Sequence, residues 1–204
     1  MIVIVDYGLG NLGSMKNMLK KLNANVIISE SSKDIKSANK LILPGVGAFD
    51  NGMSNLIEMG LIEVLEQKVL KEKVPILGVC LGMQLLTNKS EEGEKNGLGW
   101  INAETIKFKF DSSDRKYTIP HMGWNFINQT KESRLLENLP EQPRFYFTHS
   151  FFIKCNDSSD ELTTTVYNKK FISSFQKDNI YGVQFHPEKS HKYGMKLLQN
   201  FIEL

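Results

Sequence analysis

Short hydrophobic runs and amphipathic segments alternate along the first half of the chain. Four runs are mainly apolar and of strand length: residues 2–5, 25–28, 40–43 and 75–79. Apolar side chains recur every three or four positions in residues 12–22 and 55–70, which predicts helices, the second one interrupted at Gly60. Alternating strands and helices predict a parallel sheet covered on both faces, with ligands bound at the carboxyl ends of the strands.

The second half of the chain has a different pattern. Residues 105–110 alternate between polar and apolar side chains, which predicts a half-exposed strand. Turn residues separate further strand-like runs at residues 124–127, 144–147, 151–155, 163–167, 171–175 and 180–185. An amphipathic helix is predicted over residues 193–202. We therefore expect one α/β domain over residues 1–204, with a central mostly parallel sheet and an antiparallel elaboration in its second half.

The composition is that of an ordinary globular protein, and it argues against several classes of function. Of the 204 residues, 41% are hydrophobic and 24% are charged, which is not a disordered composition. The 25 basic and 23 acidic residues nearly balance, so nothing indicates binding to nucleic acid or to membranes. No run has the length of a membrane span or of a signal-peptide core, so a cytoplasmic location is expected.

The two cysteines lie in very different sequence surroundings. They are too few and too far apart for a disulfide framework or a metal site, so no metal and no other cofactor is expected. Cys155 fits the common role of a small buried apolar residue. Cys80 instead stands between Gly78 and Gly82, where a predicted strand turns into a helix.

This segment around Cys80 is the thiol counterpart of the G-x-S-x-G nucleophile elbow. A strand that turns directly into a helix crowds its own backbone, so residues without a Cβ are needed at the closest approach. The turn directs the side chain into a cleft and sets the sulfur at a helix N-terminus, where a thiolate is favoured. Cys80 is therefore a candidate nucleophile.

A nucleophilic cysteine requires a base, and the base requires a group that orients it. His186 follows a predicted strand, so it belongs to the sheet edge at which Cys80 emerges. Glu188 lies two residues further, and in extended backbone its side chain would point to the same face as His186. Pro187 stiffens the backbone between them. The sequence thus predicts a catalytic triad of Cys80, His186 and Glu188.

The oxyanion of such a reaction requires hydrogen-bond donors. One candidate is the backbone N–H of Leu81, directly after the nucleophile. A second is the loop of residues 44–47, Pro-Gly-Val-Gly, although a simple strand-terminating turn explains that loop equally well. His121 and His149 each follow a strand-like run and are candidates for the wall of the cleft, whereas His191 is expected at an exposed helix start.

Residues 8–13 match the dinucleotide-binding pattern G-x-G-x-x-G between a strand and a helix. Glu30 lies close to the spacing expected for a ribose-binding acid. A dinucleotide-dependent oxidoreductase is therefore an alternative, as is a catalytically silent binding subunit. The same glycines also suit a turn that packs a helix closely on a strand, or a loop that faces a partner protein.

Taken together, the segments resemble the class I, or triad, glutamine amidotransferases, and more narrowly the HisH-type glutaminase subunits of imidazole glycerol phosphate synthase. The resemblance covers nearly the whole chain, in residues 5–8, 43–49, 77–86, 97–100, 120–125, 146–150 and 182–190. It implies a flavodoxin-like α/β fold. It also implies hydrolysis of L-glutamine to L-glutamate and ammonia through a thioester on Cys80.

The resemblance implies roles for further residues as well. Val46, Gly47 and Leu81 would supply oxyanion donors. Gln84, together with His149, Ser150 and Phe151, would hold the amide and α-groups of glutamine. These implied roles add seven positions to the triad.

The resemblance further implies a partner, a HisF-like (β/α)₈ cyclase that receives the ammonia in a heterodimer. Residues 8–13 and 120–125 would then link the cleft to the interface. One departure is Gly13, which stands where the family's first helix usually opens with a basic residue. Residues 50–53 and 86–88 are closer to paralogues that supply ammonia to a surface-sugar amidotransferase, so that acceptor remains an alternative.

Overall fold

The computed structural model describes residues 1–110 and 117–204. The strands of this part of the chain are β1 Ile2–Val5, β2 Val26–Ser29, β3 Lys40–Leu43, β4 Ile76–Val79, β5 Lys89–Ser90, β6 Ala103–Lys107, β7 His121–Phe126, β8 Asn128–Gln129, β9 Arg144–His149, β10 Phe151–Cys155, β11 Glu161–Tyr167, β12 Lys169–Lys177 and β13 Ile180–Val183. The α-helices are α1 Leu12–Lys21, α2 Ser32–Ser37, α3 Phe49–Glu58, α4 Ile62–Glu66, α5 Leu81–Leu85 and α6 His191–Glu203. A π-helical turn, Gln67–Lys71, extends α4, and short 3₁₀ turns lie at Arg134–Leu136, Ser158–Asp160 and Pro187–Lys189.

The large sheet is mixed, with parallel strands on one side and mainly antiparallel strands on the other, where only the short pair β5–β6 is parallel among the described residues. Its main strand order is β2-β1-β3-β4-β13-β12-β10-β6-β5, and off this order β11 pairs with β12 and β8 pairs with β11. From β2 to β13 every neighbouring pair is parallel, whereas β12 pairs antiparallel with β13 and with β10. The α/β class and the antiparallel elaboration predicted from the sequence are confirmed. The junction of the two regions lies at β13.

The alternation of side chains along the parallel strands divides the core into two layers. In β1, Val3 and Val5 pack into the layer that contains α2 to α5, whereas Ile2 and Ile4 pack into the layer that contains α1 and α6. Strands buried on both faces need apolar residues at every position, which explains the continuous hydrophobic run of β1. Helices therefore cover both faces, as predicted.

Several element boundaries differ from those predicted by periodicity. The predicted helix of residues 55–70 does break at Gly60, where φ is 64°, but its first part begins earlier, at the start of α3. The predicted strand of residues 105–110 is shifted to β6. Helix α2 has no counterpart in the predicted elements because six residues contain fewer than two turns of the apolar repeat.

Strands β7 and β9 form a separate antiparallel ribbon beside the large sheet. His121 at the start of β7 is paired with His149 at the end of β9, directly before β10. Met122, Trp124 and Phe126 alternate with the inward-facing residues and are 62%, 42% and 48% exposed. The ribbon therefore has one face toward the core and one apolar face toward solvent.

Candidate active site

Cys80 occupies a sharp turn between β4 and α5 and has an unusual backbone conformation. Its φ is 52° and its ψ is −108°, a region that residues with a Cβ rarely adopt. A Cβ on Gly82 would lie 1.8 Å from the carbonyl oxygen of Leu43, and one on Gly78 would lie 2.8 Å from the oxygen of Gly82. Both glycines are thus required by close backbone approach, as the elbow motif predicts.

The elbow is held mainly by hydrogen bonds to the neighbouring strands. The Cys80 N–H donates to the carbonyl of Val183 at 2.8 Å, which fixes the turn to the end of β13. Helix α5 has only five residues, so its dipole contributes less to a thiolate than the sequence argument assumed. The side chains that contact the sulfur therefore matter more than the helix.

His186 and Glu188 form a buried pair next to the elbow. Glu188 Oε1 lies 2.8 Å from His186 Nδ1, and the two side chains are 3% and 1% exposed. The backbone between them is a 3₁₀ turn, Pro187–Lys189, so the extended geometry assumed from the sequence is wrong. The carboxylate nevertheless holds the ring at Nδ1, which leaves Nε2 as the reactive nitrogen.

The pKa of His186 reflects two opposing effects. Burial lowers the pKa of the imidazole, but hydrogen bonding and charge at Cys80 and Glu188 outweigh it and raise the pKa to about 10. Nε2 is buried and has no hydrogen-bond partner of good geometry within the described residues. The ring is therefore suited to stay protonated beside a thiolate and to give up its proton when a basic leaving group is near.

The loop of residues 44–47 lies directly against the elbow. The buried hydroxyl of Tyr7 donates a hydrogen bond to the carbonyl of Pro44. Burial raises the pKa of this phenol, and the charge of Cys80 raises it further. Gly45 has no room for a Cβ, which would lie 2.5 Å from the Tyr7 hydroxyl. Gly47 has a φ of 133°. The loop is thus more than a strand-terminating turn.

The proposed oxyanion donor at Leu81 is already engaged. Its N–H donates to the carbonyl of Gly45 across 3.4 Å, a long and therefore weak hydrogen bond. A negatively charged oxygen is a better acceptor than this carbonyl, so an oxyanion can displace it. Val46 and Gly47, the other predicted donors, lie on the exposed tip of the same loop.

A cavity of about 260 Å³ opens over Cys80. The walls of the cavity contain every oxyanion and substrate position predicted from the sequence, namely Val46, Gly47, Leu81, Gln84, His149, Ser150 and Phe151. Three further lining residues, Glu92, Pro120 and Thr148, were not predicted as site residues. The cavity therefore brings the first, middle and last thirds of the chain together around one sulfur.

Glu92 is the missed residue with the clearest chemical consequence. Its Oε2 accepts a hydrogen bond from the N–H of Phe49 at 2.9 Å, so the carboxylate is anchored to the start of α3. Burial of part of the side chain raises its pKa, while the Phe49 N–H opposes that shift. The anchored carboxylate can bind a cationic group of a ligand in the cavity.

Two histidines form a buried chain of hydrogen bonds behind the cavity. His149 Nδ1 lies 2.6 Å from the carbonyl oxygen of Phe151, and His149 Nε2 lies 3.0 Å from His121 Nδ1. A carbonyl only accepts, so His149 carries its proton on Nδ1 and accepts at Nε2. His121 must then donate from Nδ1, and its Nε2 accepts from Asn125 at 3.3 Å. Burial lowers the pKa of both rings, to about 4 for His121 and about 3 for His149.

Comparison with known protein families agrees with this geometry. The family model described as glutamine amidotransferase class-I matches residues 3–204. The chain belongs to this family. Three curated relatives are subunits of imidazole glycerol phosphate synthase: HisH 2 of Methanococcus maripaludis is 57% identical, HisH of Leptospira borgpetersenii 50% and HisH 2 of Pseudomonas aeruginosa 49%. Each alignment covers 100% of this chain and at least 99% of the relative.

Solved structures show the same amidotransferase fold at low sequence identity. One glutamine amidotransferase superposes with a TM-score of 0.73 at 17% identity, covering 100% of this chain and 98% of that structure. A glutamine amidotransferase from Thermotoga maritima superposes with a TM-score of 0.65 at 18% identity, covering 99% and 80%. The family identification, the narrower resemblance to HisH-type subunits and the fold class predicted from the sequence are all confirmed.

The glycine-rich loop of this amidotransferase has a packing role. A Cβ on Gly10 would lie 3.2 Å from the backbone nitrogen of Gly45, so the loop supports residues 44–47. A Cβ on Gly13 would meet open space, whereas the third glycine of a dinucleotide fingerprint is needed for close contact of helix and strand. The structure therefore favours the packing interpretation over the dinucleotide alternative.

The remaining candidate residues lie outside the cavity. Cys155 is partly buried, and burial raises its pKa to about 12. His191 is exposed at the first position of α6, as predicted. Over residues 1–110 and 117–204, no group of three or more His, Cys, Asp or Glu side chains is arranged to hold a metal. The helices in these residues are all too short or too polar to cross a membrane.

Proposed function

We propose that this chain is the HisH-type glutaminase subunit of imidazole glycerol phosphate synthase in histidine biosynthesis. Within residues 1–204, acting as one domain, it hydrolyses L-glutamine to L-glutamate and ammonia. The observation that carries the proposal is the cavity over Cys80, which contains a strained nucleophile beside the buried His186–Glu188 pair. Full-length identity of 57% to a HisH subunit supports the narrower assignment.

The first half of the reaction forms a thioester. The Cys80 proton passes to Nε2 of His186, and the thiolate attacks the side-chain carbonyl carbon of glutamine. Negative charge on the carbonyl oxygen is stabilised by the Leu81 N–H and by the backbone of residues 46–47. The C–N bond then breaks, and His186 returns its proton to the departing nitrogen, which leaves as ammonia.

The second half of the reaction regenerates the thiol. Neutral His186 accepts a proton from water, and the resulting hydroxide attacks the thioester carbonyl. The C–S bond breaks, glutamate is released, and the sulfur recovers its proton from the imidazolium. Glu188 holds Nδ1 throughout, so Nε2 faces the reacting atoms in both halves.

Substrate recognition uses complementary groups on the walls of the cavity. Gln84 Nε2 donates to the carbonyl of Phe151 at 3.3 Å and to the side chain of Gln184 at 3.0 Å, so its hydrogens are used. Its oxygen is therefore the end that can accept a hydrogen bond from glutamine. Glu92 supplies the negative charge for the α-ammonium group, while backbone groups of residues 149–151 bind the remaining polar atoms.

The proposal includes a HisF-like cyclase as the partner that receives the ammonia. Ammonia released into water at neutral pH is protonated and loses its nucleophilicity, so direct transfer is required. Exposed apolar side chains lie at or near the cavity: Val46 lines it, and Ile119 and Met122 lie within two residues of Pro120, which also lines it. Such a patch is typical of a protein interface. A cytoplasmic location is also proposed, because a free thiol nucleophile persists in a reducing compartment.

A second acceptor is a specific alternative for the same chemistry. Two of the relatives above carry the numeral 2 after the subunit name, which implies that those organisms hold more than one such subunit. A paralogous glutaminase that supplies a surface-sugar amidotransferase would share the nucleophile, the base and the cavity. The two assignments differ only in the partner that activates the subunit.

The experiment that tests the proposal measures glutamate release from glutamine by the wild type and by Cys80→Ala. Each protein is assayed alone and together with a HisF-type cyclase and the nucleotide ligand of that cyclase. We expect low activity alone, a large increase with the cyclase, and no activity for Cys80→Ala. Weak Cys80-dependent activity that ignores the cyclase would favour the surface-sugar partner, and no Cys80-dependent release would overturn the glutaminase assignment.

A further inference from the structure

Gln184 is a fully buried polar residue that the mechanism above leaves unused. It follows the last residue of β13 and is 0% exposed. Its backbone N–H donates to the carbonyl of Ser173 at 2.9 Å, and its side chain lies behind two residues that line the cavity, Cys80 and Gln84. There its amide lies between two residues of the site, with Nε2 3.6 Å from the sulfur of Cys80 and Oε1 3.0 Å from Nε2 of Gln84.

The orientation of the Gln184 amide follows from its neighbours. The carbonyl oxygen of Phe151 can only accept, so the Gln84 atom 3.3 Å from it must be the nitrogen. That same nitrogen is the Gln84 atom that faces Gln184, so Gln184 must present its oxygen there. The remaining end of Gln184, which faces Cys80, is therefore its NH₂ group. The carbonyl of Phe151 thus sets the orientation of the Gln84 amide and, through it, that of the Gln184 amide. The NH₂ group of Gln184 therefore faces the sulfur of Cys80.

The sulfur has few other groups that can stabilise its negative charge. The carbonyl oxygen of Thr148 lies 3.9 Å from Sγ, where it can accept from a thiol but repels a thiolate. The N–H groups of Cys80 and Leu81 donate to the carbonyls of Val183 and Gly45. Among the residues that the structure describes, the hydrogen bond from Gln184 is the one of good geometry that the sulfur accepts. This hydrogen bond and the positive charge of His186 stabilise the thiolate against repulsion by the carbonyl oxygen of Thr148.

We propose that Gln184 is a catalytic residue, which donates a hydrogen bond to the Cys80 thiolate both before attack and when the thiolate leaves the thioester. A hydrogen bond to a charged acceptor is stronger than the same bond to a neutral one, so Gln184 favours the thiolate over the thiol. The inference rests on the proposed glutaminase function for its second step. Its first step concerns the sulfur alone and needs no glutamine.

The competing explanation is that Gln184 merely satisfies Gln84 in the core. The two explanations differ in which end of the amide matters. For the structural role, the essential atom is Oε1, which accepts from Gln84. For the catalytic role, the essential atom is Nε2, which donates to Cys80.

The test compares Gln184→Glu with Gln184→Met. The glutamate keeps an oxygen for Gln84 but places a second oxygen, which cannot donate when ionised, against the sulfur. The methionine keeps the length of the side chain and removes both hydrogen bonds. The measured quantities are the rate of Cys80 alkylation by iodoacetamide at pH 7, without glutamine, and kcat and KM for glutamine in the complex with a HisF-type cyclase.

We expect both variants to be alkylated at Cys80 at least about tenfold more slowly than the wild type, with a comparable loss in kcat. Gln184→Glu should be no better than Gln184→Met at a pH where its carboxyl is ionised, because its extra oxygen then repels the thiolate. Alkylation of Gln184→Glu within about twofold of the wild type, with the carboxyl shown to be ionised by its ¹³C chemical shift, would overturn the proposal in favour of the structural role. Normal alkylation of Gln184→Met would overturn it as well.

A matched control separates the loss of a buried amide from the loss of this donor. Asn200 is 5% exposed in α6 and donates to the carbonyls of Leu135 and Glu137, away from the cavity. We expect Asn200→Leu to be less stable while Cys80 keeps its wild-type alkylation rate. If the wild type is alkylated rapidly yet never hydrolyses glutamine, the proposed function fails while the inference about the sulfur stands.

A second measurement applies if neither Gln184 variant folds. The side-chain NH₂ signals of Gln184 are observed by NMR in ¹⁵N-labelled wild type and in Cys80→Ala. We expect removal of the sulfur to shift the proton that points toward it and to leave the backbone signal of Ser173 unchanged. Unchanged side-chain signals would overturn the proposed hydrogen bond.

Discussion

His121 and His149 fix each other's tautomer across 3.0 Å, in a chain whose two ends are both backbone carbonyls. At one end His149 Nδ1 donates to the carbonyl of Phe151, and at the other Asn125 donates to the carbonyl of Val166 at 3.0 Å as well as to His121. Each carbonyl independently requires the same proton arrangement. The arrangement connects the exposed ribbon β7–β9 to the backbone that lines the cavity.

The first prediction concerns His121 as a positioning residue. His121→Phe removes the donor to His149 but retains a flat ring between Phe147 and Tyr167, on which His121 stacks. Without that donor the segment 149–151 is held less firmly, so KM for glutamine should rise about fivefold, the effect of one hydrogen bond worth ~1 kcal/mol. Steady-state kinetics in the complex with the cyclase measures the change.

His121→Asn is the matched rescue variant for this prediction. The side-chain nitrogen of asparagine occupies nearly the position of Nδ1 and can donate to His149 in the same direction. We expect the KM of His121→Asn to lie close to that of the wild type, even though asparagine packs less well than phenylalanine. A wild-type KM for His121→Phe, or the same KM for both variants, would contradict the positioning role.

The second prediction is a loss of stability at mildly acidic pH. The pKa values of His121 and His149 are lowered by burial, to about 4 and about 3, from about 6.5 in the unfolded chain. Below pH 6.5 the unfolded chain therefore binds protons that the folded chain does not, and the free energy of unfolding falls until the folded pKa values are reached. The raised pKa of His186 acts in the opposite direction, mainly above pH 6.5, and adds little slope below about pH 5.5, where that group is protonated in both states.

The variant His121→Phe isolates this effect. Its free energy of unfolding should fall about 2 kcal/mol less than that of the wild type between pH 7 and pH 4.5, since one buried neutral imidazole is absent. Urea denaturation at both pH values gives the difference. Equal pH dependence in the two proteins would mean that the pKa of His121 is the same in the folded and the unfolded chain.

The third prediction concerns the charge of Glu92. Glu92→Gln keeps an oxygen for the N–H of Phe49 and removes the negative charge at the rim of the cavity. KM for glutamine should rise about fivefold, with kcat changed little, because the α-ammonium group is remote from the reacting carbon. Glu94→Gln, on the exposed loop nearby, is the control and should leave both constants unchanged. A fall in kcat without a change in KM would argue against this role.

The fourth prediction is that glycine at position 80 gives a more stable protein than alanine, the reverse of their usual order. Cys80 holds a φ of 52° with a ψ of −108°, which costs about 1–3 kcal/mol in a residue with a Cβ. The free energy of unfolding of Cys80→Gly should therefore exceed that of Cys80→Ala by about 1 kcal/mol, as measured by denaturant unfolding, although glycine ordinarily destabilises. Both proteins lack the thiol, so packing of sulfur cancels. A more stable alanine variant would mean that the elbow relaxes.

The fold was predictable because strand and helix periods are local and strong in this chain. The run of β1 and the glycines around Cys80 each allow essentially one interpretation. Helix α2 escaped prediction because its six residues are too few for an apolar repeat, although Ser31 caps it by accepting from the Lys33 N–H. Local sequence patterns thus predict the main strands and helices but not every short element.

The cavity was only partly predictable because its walls come from distant loops. Glu92 reaches the site through a hydrogen bond to Phe49, 43 residues away, and nothing in its neighbouring sequence indicates that contact. The contact of Glu188 with His186 was predicted on the assumption of an extended backbone, but a 3₁₀ turn brings the two side chains together. Gln184 carries no local signal of its role, because its contact with Cys80 joins residues 104 positions apart. Long-range contacts of polar side chains leave no periodic signal.

The adjacency of β4 and β13 also determines when the enzyme can first act during its synthesis. Gln184 follows Cys80 by 104 residues, and His186, the base for Cys80, lies two residues further along the chain. A ribosome therefore exposes the nucleophile long before the strand that completes it, and the thiol has no base until the final part of the chain has emerged and paired. The order of strands along the chain thus delays ammonia release until β13 has paired with β4.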